Sequence, residues 1–288
     1  MRWTINHLLV ALGIIGAACA YGYIYAETIA PSRVMTVSFL DVGQGDAIYA
    51  RAPNGADMLI DGGPDAAVIS RLGTVMPGFD RTIDVVVATH PDKDHIAGLI
   101  PVFEKYSVKK YLHSEVSSDS SYDESLAEAA ASEPGLEQIV ARRGERIILD
   151  DAHGIYIDLL FPDQNTSNFK ETNDASIVAR LVYGNQSFLL TGDSPQSVEE
   201  WLVKTDGVRL QSSVLKLGHH GSNSASSTEY LKTVHPGYSI VSAGKNNTYH
   251  HPSATVVERV KDLRIPLLST IDSGTITFAT DGMEIWIK

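Results

Sequence analysis

Apolar runs in this 288-residue chain end, one after another, in aspartate or histidine. The run 85–88 (VVVA) continues as Thr89-His90-Pro91-Asp92-Lys93-Asp94-His95. The run 188–190 (FLL) passes through Thr191-Gly192 to Asp193, and 214–217 (VLKL) passes through Gly218 to His219 and His220. A fourth segment, Tyr249-His250-His251-Pro252-Ser253, opens a helical pattern. A strand end carrying a polar side chain is a rigid mount for a site. Each segment also has a structural reading: Asp94 and Asp193 as helix caps, the histidine pairs as surface or core-lining residues, and Pro252 as a first-turn residue. Their joint occurrence is far more specific than any one of them.

The rest of the chain fits a fold that brings strand ends together. From Met35 onward, 36–42, 46–52 and 57–63 read as strands, with a turn at Asn54-Gly55. Residues 85–90 read as a buried strand, 96–106 as a helix, and 114–135 as a polar loop that becomes helical near Ser125. A second half begins near Glu145. It has strands at 146–150, 155–162, 176–184 and 186–193, the last two joined by Gly184-Asn185. A helix follows Asp193. Strands at 214–220 and 238–244 then alternate with helices, one beginning near Ser253, before two final strands joined at Asp281-Gly282. This order predicts an α+β fold with two sheets packed face to face and helices outside.

The N-terminus reads differently. Arg2 precedes an uncharged apolar run from Leu8 to Ala26, near the lower limit of roughly 17–25 residues for a membrane span. It reads as an uncleaved anchor, as a cleaved signal with small residues around Cys19, or as a lipoprotein signal, although the usual leucine is missing. Each reading puts the remainder outside the cytoplasm, membrane-anchored or secreted. The domains expected are therefore 1–34, anchor or signal plus linker, and 35–288, the folded domain.

Cys19 is the only cysteine, so 35–288 has no thiolate ligand and no internal disulfide. Any metal site there must use histidine, carboxylate, amide or backbone oxygen, a set that admits zinc or manganese. The net charge of -12 argues against broad nonspecific nucleic-acid binding, but not against a site whose cations supply the positive charge. His7 belongs to the export segment, and His113, His153 and His235 read as structural or surface residues.

The segments 39–63 (FLDVGQGDAIYARAPNGADMLIDGG), 90–98 (HPDKDHIAG), 173–193 (NDASIVARLVYGNQSFLLTGD), 215–224 (LKLGHHGSNS) and 250–253 (HHPS) occur in a recognisable order. Over 35–288 the chain resembles the metallo-β-lactamase superfamily, and within it the periplasmic hydrolase domain of ComEC/Rec2-type DNA-uptake proteins. The resemblance implies the αββα four-layer sandwich and one or two divalent ions, zinc or manganese. It implies His90 and Asp92 at one ion, Asp94 and His95 at the second, Asp193 bridging, and His251 completing the second site. His219 matches a histidine that protonates the leaving group. Asp94 is also expected in the catalytic machinery. Asp61 matches a buried aspartate that orients the metal loop, Gln44 and Asp46 would lie at the rim, and His220 would support the site. The superfamily histidine that should precede the strand ending at Asp193 is absent, and Asn173 and Asp174 stand about where it should be. His219 is then the alternative ligand. Only one apolar segment accompanies the domain here, so the chain cannot itself form an uptake channel.

The function implied is a metal-dependent phosphodiesterase acting on DNA outside the cytoplasm, with Lys93 helping to neutralise charge on a phosphoryl oxygen. Two rivals are hydrolysis of a small ester, such as phosphorylcholine or a β-lactam, and a non-catalytic metal-binding scaffold.

Overall fold

β-Branched and aromatic residues dominate the strands, which the computed structural model describes over residues 14–16 and 33–288. β1 (Met35–Phe39), β2 (Ile48–Arg51) and β3 (Asp57–Ile60) form an antiparallel meander. Helix α1 (Ala67–Val75) leads to β4 (Thr82–Ala88), and α2 (Lys93–Ile96) and α3 (Leu99–Lys105) lead to β5 (Ser107–His113). Helix α4 (Ser121–Ser132) leads to β6 (Glu137–Val140), so β3 to β6 run parallel. The second half opens with the antiparallel strands β7 (Arg146–Asp150), β8 (Ile155–Phe161), β9 (Val178–Tyr183) and β10 (Gln186–Leu190). It continues through α5 (Gln196–Asp206), β11 (Val214–Lys216), α6 (Thr228–Val234), β12 (Tyr238–Val241), α7 (Ala254–Asp262) and β13 (Leu267–Ser269), with β10 to β13 parallel. After α8 (Thr270–Ser273), β14 (Ile276–Thr280) and β15 (Ile285–Ile287) cross back to the first sheet, where β14 pairs with β1.

The two sheets are thus β15-β14-β1-β2-β3-β4-β5-β6 and β13-β12-β11-β10-β9-β8-β7. Three apolar layers hold them. Val37, Phe39, Met58, Leu181, Phe188 and Phe278 belong to the core between the sheets. Leu59, Leu72, Val86, Leu99 and Phe103 pack the first sheet against its helices, and Leu189, Leu202, Leu215, Leu231 and Val256 do so for the second. This is the expected four-layer α+β sandwich.

Local differences from the sequence reading have physical causes. Lys109 and Lys110 interrupt the apolar pattern of β5, and three of the four residues of β6 are exposed, so neither strand stood out. The helix expected over 96–106 is α3, which begins later, at Leu99, and a separate helical turn, α2, begins at Lys93 and carries Asp94 and His95. Asp92 holds the cap position without a side-chain cap bond, and Asp94 does not cap. Helix α5 is preceded by Pro195, so Asp193 caps nothing. Ser253 caps α7 by accepting from Val256, and Pro252 lies before the cap rather than in the first turn.

Most of the apolar segment 8–26 lies outside the described residues. Among the described residues no helix is long and apolar enough to cross a membrane. Residues 1–33 and 34–288 are separate units.

Candidate metal centre

Strand β3 leads directly into Asp61, a fully buried aspartate in left-handed backbone at φ 58°. Its carboxylate accepts from Thr89 N, Thr89 Oγ1 and His95 Nδ1, all at 2.8 Å. These bonds decide proton positions. The Thr89 hydroxyl gives its proton to Asp61, so it accepts from His90 Nδ1, 3.0 Å away. His95 likewise spends Nδ1–H on Asp61. His220 spends Nδ1–H on the Ser242 carbonyl at 3.0 Å. In their neutral forms all three rings therefore present a bare Nε2 lone pair, and all three Nε2 atoms are buried without a hydrogen-bond partner.

Those lone pairs face carboxylates. His90 Nε2 lies 3.6 Å from Asp92 Oδ2, and His95 Nε2 lies 3.3 Å from Asp193 Oδ1. His220 Nε2 lies 3.3 Å from Asp94 Oδ2 and 3.5 Å from Asp193 Oδ2. Lone pair against carboxylate is repulsive unless a positive charge stands between them. In the ion-free protein, protons serve at His95 and His220. Burial would lower the pKa of His95, but Asp193 and Asp61 outweigh it and raise it well above the ordinary value. Burial opposes the same shift in His220, which Asp193 and Asp46 push up to about 9. Burial would raise Asp193, yet His220 and His95 hold it well below the usual carboxylate range. Three converging lone pairs among three carboxylates fit a divalent cation better than protons, because one ion can meet several of these donors at once.

Asp46 lies deeper than a rim. Asp46, His95, Asp193 and His220 bring ligand-type atoms within 4.8 Å of one another. Yet Asp46 Oδ2 is 2.8 Å from Nζ of the fully buried Lys216, while its Oδ1 stands 3.3 Å behind His220 Nδ1. Lys216 thus already neutralises Asp46, which puts this carboxylate behind the imidazole. Burial would raise its pKa, and Lys216 and His220 hold it below the usual range. Gly45 brings this loop against the metal segment: a Cβ there would collide with the Asp94 carbonyl, which accepts from Asp46 N at 3.2 Å.

His219 and His220 occupy consecutive left-handed positions, at φ 49° and 52°, which costs roughly 1–2 kcal/mol per residue. The twist sends His220 inward and leaves His219 half-buried at the mouth. His219 Nε2 lies 3.7 Å from Asp193 Oδ2, and its Nδ1 lies 3.1 Å from Ser224 Oγ and 3.5 Å from Asn173 Nδ2. Burial holds its pKa below the ordinary value. Asn173 Oδ1 is buried without a hydrogen-bond partner. Asp174 sits in the same 3₁₀ turn, Thr172–Ala175. The ring of His251 is farther out, with centroid distances of 5.5 Å to His219 and 6.4 Å to His220. Gln44 accepts from Gly244 N at 3.1 Å and ties the two rim loops together.

Glu199 of α5 clamps the 218–227 loop, accepting from Ser226 N and Ser227 N. Sequence reading passed over both Glu199 and Lys216, because a charged residue in a helix or strand looks solvent-facing until the neighbours are known. Glu199→Ala strands two amides, one of them fully buried, and is expected to cost about 2–3 kcal/mol in urea unfolding. A loss under about 0.5 kcal/mol would show that the clamp is dispensable.

Residues 40–245 match the metallo-β-lactamase superfamily. The chain is 29% identical over 259 residues to ComE operon protein 3 of Bacillus subtilis, covering 84% of this chain and 32% of that protein. It is 32% identical over 258 residues to competence protein ComA of Neisseria gonorrhoeae, covering 88% and 33%. The chain thus spans about a third of the length of these curated relatives. Among solved structures, the metallo-β-lactamase fold protein YhfI of Bacillus subtilis superposes with a TM-score of 0.54 at 13% identity, covering 82% of this chain and 95% of that one. CmlA, a diiron β-hydroxylase of Streptomyces venezuelae, gives 0.54 at 14%, covering 84% and 53%. A hydroxylase on the same fold means that the reaction must be argued from the site. The superfamily match, the sandwich and the converging donors together make this chain a member of the metallo-β-lactamase superfamily of metal-dependent hydrolases, of the ComEC/Rec2 type.

Proposed function

We propose that the chain is a phosphodiesterase that cleaves nucleic acid, with DNA the favoured substrate, outside the cytoplasm. The observation that carries this reading is the convergence of His90, His95 and His220 Nε2 on Asp92, Asp94 and Asp193 beside the half-exposed His219. The competence relatives supply the substrate class.

His90, Asp92 and Asp193, with the unpartnered Asn173 Oδ1 in place of the missing histidine, would hold one cation. Asp94, His95, His220 and Asp193 would hold the other, which gives His220 the position first assigned to His251. A bound divalent ion, zinc or manganese, supplies Lewis acidity and water activation at neutral pH. Asp61 keeps His95 in the tautomer that offers Nε2. His219 stands at the mouth as proton donor to the departing oxygen, and an arriving phosphate anion favours its protonated form.

Metal analysis of the 34–288 unit, paired with turnover of bis(4-nitrophenyl) phosphate, tests the reading. One to two equivalents of metal and metal-dependent turnover are expected; full activity without metal would sink it. His219→Ala is expected to lower turnover of a nucleotide ester by about 10²–10⁴ at unchanged metal content. The nitrophenyl ester should suffer much less, since its leaving group needs no proton. Loss of one metal equivalent, with both substrates equally slowed, would make His219 a ligand instead. The apolar run 8–26 supports anchoring or export, and recovery of the uncleaved full chain as a soluble cytoplasmic protein would count against it.

A further inference from the structure

We propose that Tyr249 is a stacking platform for a base of the substrate strand next to the scissile phosphate; this rests on the phosphodiesterase reading above. Tyr249 is 67% exposed, although it sits at the mouth of the metal centre rather than on a remote surface. Its ring stacks on His251 with centroids 5.7 Å apart and planes at 22°. His251 in turn meets His219 at 5.5 Å, and His219 Nε2 is 3.7 Å from Asp193. The phenol is therefore two imidazoles away from the central carboxylate.

The ring is held ready. Asn247 donates to the carbonyls of Gly244 and His251 at 2.8 and 2.7 Å, and accepts from His251 N at 2.8 Å. Gln44 pins Gly244 to the facing loop. A braced tyrosine with two side-chain torsions loses little entropy when a flat partner stacks on it. Every base has a π face, and such stacking is sequence-tolerant.

The surrounding charge selects the ligand class. In a chain of net charge -12, residues 244–253 contain no acid and include the exposed Lys245. A rim segment with a cation and no acid suits a phosphate strand better than a quaternary ammonium such as choline, which an aromatic ring would otherwise attract. At the other motif, the exposed Lys93 stands 5.0 Å over the ring of Tyr122, offering a second cation with an aromatic ring beside Asp92. A duplex keeps its bases stacked inside, so the platform serves unpaired bases.

The test compares the 34–288 unit and its variants, loaded with manganese or zinc, on oligothymidylate and on the same oligonucleotide with abasic residues flanking the scissile phosphate. The unaltered protein should prefer the base-bearing strand by roughly 5–150-fold in kcat/KM. Tyr249→Ala should bring that ratio close to one, and Tyr249→Trp should retain it. A ratio unaffected by Tyr249→Ala, or near one in the unaltered protein, overturns the proposal. If neither oligonucleotide nor bis(4-nitrophenyl) phosphate is hydrolysed, it is the phosphodiesterase reading that fails. Tryptophan fluorescence then decides the platform: quenching of Tyr249→Trp by oligothymidylate but not by the abasic strand supports it, and equal quenching overturns it.

Discussion

Asp193→Ala is expected to remove most bound metal and to lower phosphodiester turnover by about 10³-fold or more, because several kcal/mol of charge stabilisation leaves with the ion. Asp193 is buried at the end of β10, and its carboxylate stands within 3.3–3.7 Å of His95, His219 and His220. No other carboxylate touches all three rings among the described residues. Asp193→Asn keeps the shape and removes the charge, so it should lose metal almost as fully. The ion-free protein should suffer as well. The folded pKa of His220 is raised to about 9, so its contribution is fully present below the unfolded value near 6.5 and is lost as pH rises through about 9. Removing Asp193 withdraws a main cause of that shift, and the ion-free variant should gain less stability between pH 9 and 6.5 than its parent. Metal stoichiometry, turnover and urea midpoints at the two pH values check all three points. A variant that keeps both metal and activity would take Asp193 out of the centre.

Lys216→Ala is expected to cost about 3–5 kcal/mol, since it leaves the Asp46 carboxylate buried and uncompensated. Lys216 Nζ has two oxygen partners, Asp46 Oδ2 at 2.8 Å and the Leu217 carbonyl at 2.9 Å. Breaking the pair should also release the loop that backs His220, so metal affinity should fall by roughly 10–100-fold, as when an outer partner of a ligating histidine is lost. Lys216→Met with Asp46→Asn removes both charges at nearly constant volume and should recover much of the stability. The metal affinity should recover less, because the charge behind His220 is still missing. Urea unfolding and competitive metal titration measure the two effects separately. A single variant within about 0.5 kcal/mol of the parent would mean that water reaches Asp46.

Much of this protein was legible without coordinates. Apolar runs and alternations placed β1 to β4, β7 to β12, β14 and β15, and the two-residue turn at Gly184-Asn185 appears as expected between β9 and β10. Polar side chains at the ends of β3, β4, β10 and β11 marked the edge where a site would form. Side-chain period and turn chemistry are local, so sequence spacing carries them. Exposed or lysine-bearing strands such as β5 and β6 escaped, because their pairing is set by neighbours rather than by their own pattern.

What the sequence determined by itself was the set of strand ends and the residue types on them: His90, Asp92, Asp94, His95, Asp193 and the His219-His220 pair. The tertiary structure decided which way those side chains point. Two adjacent left-handed residues turn His220 into the centre and leave His219 at its mouth, and His251 is carried outward beside Tyr249. Asp46 and Lys216 lie 170 positions apart; the sequence places Asp46 at the rim and leaves Lys216 an ordinary strand residue, until the loop between β1 and β2 closes over the end of β11 and buries both. A carboxylate and an ammonium interact through distance and dielectric, and both are properties of the packed molecule rather than of the chain order.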